Sequence, residues 1–178
     1  MRSKSIDCNK IAMVLNYLIF IIVFFGFIVI ITGYRFMFIP EPAINPIRIG
    51  AIRFFTVQCN LLMGIIALIM AHKERKLVNG SNKDIAVGYY ILKLVMTTSV
   101  TLTFLVVFLY LGRIVDGGLI SILQNSNLLY HLIVPLLSVI TFLFFEKTDK
   151  IKFNYNICSL IPVLLYGIYY VINIITHF

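Results

Sequence analysis

Five long apolar runs, separated by short charged or proline-bearing segments, decide what this 178-residue chain can fold into. A helix rises about 1.5 Å per residue, so roughly 20 apolar residues cross the ~30 Å hydrocarbon core of a bilayer. The runs read as spans over residues 11–33, 50–71, 85–111, 125–145 and 155–177. Each has to be helical, because a backbone amide without a partner in hydrocarbon costs several kcal/mol. The two-residue alternation of a membrane barrel is absent. The expected architecture is an all-α membrane protein, a bundle of about five transmembrane helices forming one domain over residues 1–178.

Composition leaves little room for anything else. Hydrophobic residues make up 61% of the chain and charged residues 12%, with a mean hydropathy of +1.00. Soluble domains lie nearer 45–50% and 25% on these two measures. The first run is longer than a signal-peptide core and is followed by no small-residue cleavage site, so it reads as a retained span. Cys8, Cys59 and Cys158 are far apart and match no metal or redox spacing. No metal and no organic cofactor is implied.

The net charge of +8 sits in the connections. That placement fits topology signals and contacts to anionic headgroups, and it argues for membrane lipids rather than nucleic acid as partners. The N-terminus holds Arg2, Lys4 and Lys10, the second connection Lys73, Arg75, Lys76 and Lys83, and the fourth Lys147, Lys150 and Lys152. These are ten of the fifteen basic residues. The opposite side has Arg35, Arg48 and Arg113, with Arg53 just inside span 2 and Lys93 inside span 3, both expected to snorkel to headgroups. The positive-inside rule then makes the N-terminus cytoplasmic and the C-terminus external. The first connection, with Pro40, Pro42 and Pro46, should be irregular. The second should turn at Asn79-Gly80, and the third, with Gly117-Gly118, should lie along the surface.

Polar side chains within a membrane are costly and usually face the bundle interior. In span 2, Arg53, Thr56 and Asn60 fall on one helical stripe that Gly64 extends. In span 4, Asn127, His131 and Ser138 share a stripe, with Pro135 beside it. Pro135 cannot donate to the His131 carbonyl, so a bend is expected there. Both spans descend from the outer side, and Thr56 and His131 each lie six residues below the start of their run. They should reach the same depth and face one polar cavity if the spans are neighbours. A hydroxyl beside an imidazole suffices for acyl transfer, with Arg53, Asn60 or Asn127 as oxyanion or substrate-binding donors. The alternative is structural: an intramembrane threonine commonly bonds back to its own helix, and a histidine can serve helix packing. The hydroxyls of span 3, from Thr97 to Thr103, read as packing contacts on the same grounds.

The segments RFFTVQCNLL at 53–62 and NLLYHLIVPLLSVITFLFFE at 127–146 resemble the androgen-induced and androgen-dependent multi-pass membrane proteins and their bacterial relatives. That family includes intramembrane threonine hydrolases of fatty acid esters of hydroxy fatty acids. The resemblance implies that Thr56 and His131 stand at the essential threonine and histidine. The expected function is therefore hydrolysis of a lipid ester, with Thr56 as nucleophile and His131 as base. A non-catalytic membrane protein for lipid binding, transport or partner scaffolding is the alternative. Abundant Ile, Asn, Lys and Phe point to a low-GC bacterium and its plasma membrane.

Overall fold

A computed structural model describes residues 6–37, 48–81, 84–146 and 151–176. Five long helices account for the apolar runs: α1 (Ile6–Thr32), α2 (Phe55–Val78), α3 (Val87–Ile114), α5 (Ser126–Phe145) and α6 (Phe153–Ile175). A short α4 (Gly118–Ile122) lies in the connection expected to follow the surface. All five long helices have the length and hydropathy to cross a bilayer, and the described residues contain no strand. The proline-rich part of the first connection lies outside the described residues.

Helix boundaries depart from the apolar runs for local reasons. Residues Arg48–Arg53 form a 3-10 helix, so α2 starts only at Phe55. At its other end α2 continues past Ala71 to Val78, because nothing from His72 to Lys76 breaks a helix. It stops at the expected turn, where Gly80 adopts φ +71° and the Ser81 N–H donates back to the Lys76 carbonyl at 2.9 Å. Three stretches widen to π geometry: Val107–Leu111 in α3, and Leu129–Ile133 and Thr141–Phe145 in α5. Such widenings often accompany functional sites. The middle one immediately precedes Pro135. In π register the carbonyl facing a proline is five residues back, that of Tyr130 rather than that of His131.

Packing is closest where small residues admit a neighbour. A Cβ on Gly64 of α2 would lie 2.8 Å from Val23 Cγ1 of α1, and one on Gly26 would lie 2.6 Å from Tyr130 Cε1 of α5. Around these approaches Ile19, Val23, Cys59, Met63, Ala67, Val95, Met96, Val100 and Val134 form the main apolar core. Apart from Thr97, whose buried hydroxyl has no partner among the described residues, the hydroxyls of α3 bond back to their own helix. Ser99 donates to the Val95 carbonyl at 2.8 Å, Thr101 to Thr97 at 2.7 Å and Thr103 to Val100 at 2.8 Å.

Lys93 does not snorkel. Its side chain is wholly buried in a polar cluster drawn from four helices, with Asn16 of α1, Glu74 of α2 and Glu146 at the end of α5. The ammonium donates to Asn16 Oδ1 and stands 3.9 Å from Glu146 Oε2. Asn16 Nδ2 in turn donates to Glu146 Oε1 at 2.6 Å and to Glu74 Oε2 at 3.1 Å. The correction follows from helix length. Glu74 and Glu146 lie just beyond the apolar runs, but α2 extends far enough to carry its carboxylate to the depth of Lys93. A buried ammonium with a carboxylate at hand gains more from pairing than from reaching for headgroups.

Candidate functional site: a cavity at the far end of the bundle

At the opposite end of the bundle from this cluster is a cavity of about 310 Å³. The end of α1 contributes Val29, Ile30, Gly33, Tyr34 and Arg35, and the start of α2 contributes Thr56 and Val57. The remaining wall comes from Ala51 and Phe54, from Leu111, from Ser121 and Gln124 through Asn127, and from Tyr130 and His131. Thr56 and His131 thus line one cavity, as their shared depth suggested. The route to that depth differs from the expected one. Thr56 belongs to the first turn of α2 rather than lying six residues down it. His131 lies in the π segment of α5.

Nδ1 of the imidazole is buried and has no hydrogen-bond partner among the described residues. The described contacts include no hydrogen bond between Thr56 Oγ and the imidazole. Neighbouring Tyr130 fixes the segment: its ring lies against Gly26, and its hydroxyl donates to the Val23 carbonyl at 2.9 Å.

The three residues expected to supply donors are placed differently from one another. Asn127 lines the cavity. Asn60 does not: it is fully buried below it, and its Nδ2 donates to the Thr56 carbonyl at 2.8 Å and the Tyr130 carbonyl at 3.3 Å. Asn60 therefore ties α2 to α5 through the carbonyl that Pro135 leaves free, and it positions the two site residues without facing the cavity. Arg53 also lies off the cavity, in the 3-10 helix, with its guanidinium 5.4 Å from the Phe54 ring centroid. The stripe read as one surface serves three tasks at three depths. Thr56 faces the cavity, Asn60 links helices, and Gly64 admits Val23.

Two contributors escaped the sequence reading. Arg35, just beyond the end of α1, is the charged residue of the lining. Asn125 adopts φ 52°, ψ −123°, a conformation that a side chain usually makes costly, by about 1–3 kcal/mol. Its Oδ1 accepts N–H bonds from Phe36 at 2.8 Å and Met37 at 2.9 Å, pinning the chain beyond α1 to the rim where α5 begins. Neither signal is periodic, so neither could be read from helical spacing. Among the described residues no group of His, Cys, Asp and Glu side chains is arranged to hold a metal. No protein-family model, no curated protein and no solved structure matches the chain.

Proposed function

We propose that this protein is a membrane hydrolase of a lipid ester, with Thr56 as nucleophile and His131 as general base. The observation that carries the reading is that Thr56 and a histidine with an unengaged, buried Nδ1 line the same cavity. The resemblance of residues 53–62 and 127–146 to the androgen-induced protein family supports it. In this reading Nδ1 takes the threonine proton as Oγ attacks the ester carbonyl, and the tetrahedral oxyanion is met by the Asn127 amide. Collapse breaks the ester bond, and the leaving alcohol departs with the proton from His131. Water, deprotonated by the same nitrogen, then cleaves the acyl-threonine to free acid and restores the hydroxyl. Asn60 acts as a positioning group. In this reading the cavity opens on the external side, by the positive-inside rule, and the abundance of Ile, Asn, Lys and Phe favours a bacterial plasma membrane.

The test is ester hydrolysis by purified protein in nanodiscs, using a branched fatty acid ester and p-nitrophenyl acyl esters. Thr56→Ala and His131→Ala should each abolish turnover while leaving the melting curve intact, and Thr56→Ser should retain part of it. Thr56→Ala activity equal to wild type would remove the nucleophile assignment. A wild type inactive on every ester would transfer the cavity to the lipid-binding reading.

A further inference from the structure

Asn125 stands at the N-cap of α5, yet its side chain makes no cap bond to that helix. Asparagine is among the residues best suited to this position, because its oxygen can accept from the N–H groups of the first turn. Here the oxygen is turned away. It accepts instead from the backbone N–H groups of Phe36 at 2.8 Å and Met37 at 2.9 Å, 89 and 88 positions earlier in the chain. The backbone is strained as well: φ 52°, ψ −123° is a conformation that glycine adopts freely and asparagine does not. One residue thus forgoes a helix cap and takes on strain while holding a second segment.

That segment, residues 33–37, leaves α1 through a turn at Gly33, φ 71°. Gly33, Tyr34 and Arg35 belong to the cavity wall, as does Asn125, so the segment runs from α1 to α5 along the rim. Among the described residues, the two bonds to Asn125 are the only hydrogen bonds tying it to another helix. Its others, from the Gly33 N–H to the Val29 carbonyl and from the Tyr34 N–H to Thr32 Oγ1, return to α1. The segment packs Phe36 against the apolar cluster of Ala51, Val57, Leu129 and Tyr130, and Val57 is itself a buried part of the wall. Breaking the Asn125 bonds loses two neutral hydrogen bonds. It also releases the strain and frees the oxygen to cap α5, and these gains offset most of the loss. The two positions of the Asn125 side chain therefore differ little in free energy, with the strap-bound one preferred. That is the balance a latch needs.

We infer that residues 33–37 form a lid on the cavity and that Asn125 is its latch, closed while Oδ1 holds Phe36 and Met37 and open when it caps α5. The inference rests on the proposed function only in taking this cavity as the ligand site; a lid serves a binding protein as well as a hydrolase.

The experiment measures access to the cavity wall. Val57→Cys places a thiol there, and the full chain in nanodiscs is treated with a water-soluble maleimide. Native Cys59, two residues on and buried in the main core, is the internal reference, and tandem mass spectrometry separates the two sites. Asn125→Gly keeps the backbone conformation available and removes the latching oxygen, so the fold is retained. It should speed modification at Val57→Cys about tenfold, the measure of a modest preference for the latched state. Asn125→Asp keeps an acceptor of the same reach and should stay within about twofold of the parent. Cys59 should remain unmodified throughout. Equal rates in the parent and in Asn125→Gly overturn the inference. So does acceleration in Asn125→Asp, or acceleration that extends to Cys59, which reports a loosened bundle rather than an opened lid. Because alkylation requires no turnover, a protein that hydrolyses no ester yet shows the Asn125-dependent protection refutes the hydrolase reading alone.

Discussion

Replacing Lys93 with methionine should destabilise the bundle far more than the loss of one surface charge would. Methionine keeps most of the length and apolar stem of the side chain, so packing is largely preserved. What disappears is the ammonium that donates to Asn16 Oδ1 and stands 3.9 Å from Glu146 Oε2, with both partners wholly buried. Removing one side of a buried pair costs about 3–5 kcal/mol, because the remaining charge keeps its desolvation penalty and loses its compensation. At 1.36 kcal/mol per decade, this shifts the unfolding equilibrium by roughly two to four orders of magnitude. The chain has no tryptophan, so unfolding in mixed micelles is best followed by circular dichroism during an SDS titration. Glu146→Gln in the Lys93→Met background should recover part of the loss, since the amide oxygen still accepts from Asn16 Nδ2 and the stranded charge is gone. A double-mutant cycle should give a coupling of about 1–3 kcal/mol. Lys93→Met protein within about 0.5 kcal/mol of wild type would refute the claim that the pair holds the helices together.

Gly26→Val should displace Tyr130, since even a Cβ would lie 2.6 Å from its ring. The expected cost is about 1–3 kcal/mol, with weakened ligand binding at the adjacent His131, and unchanged melting and binding would argue against this contact. Tags on the two termini should report opposite sides of the membrane, the N-terminal one cytoplasmic; protease or thiol-labelling accessibility reads this directly, and ends on one side would dismiss the five-span topology.

The spans were legible because a bilayer allows a long apolar run few conformations other than a helix. The ends were not, because apolar character and helical hydrogen bonding stop at different residues. Gly50 and Arg53 look like span by hydropathy yet form a 3-10 helix, whereas Glu74 looks like loop by charge yet sits in α2. The same difference hid the polar cluster: Asn16 and Lys93 lie within runs, but the acids they meet lie past the run ends. Thr56 and His131 were recoverable from helical spacing because both occupy helices. Arg35 and Asn125 lie in connections, where no period links a residue to its neighbours in space. Asn60 illustrates a further limit. Spacing placed it on the stripe of Thr56, but only the π widening ahead of Pro135 decides which carbonyl its amide can reach.

The fifth long helix stands apart from the other four. Only 6% of the most apolar window of α6 is buried, and it lends no residue to the cavity or to the Lys93 cluster. Its start packs along α3, with Cys158 on the main apolar core and Thr98 reaching Ser159 at 3.4 Å, and Phe55 of α2 lies 5.0 Å from Tyr166 between ring centroids. Two kinds of order therefore coexist in one chain. The position of the first four spans is set by interlocking side chains, and that of the last is set chiefly by the lipid around it. Membrane thickness and acyl-chain composition then become structural variables for α6, which can tilt to match its surroundings, and the Phe55–Tyr166 contact carries that tilt to the residue beside Thr56.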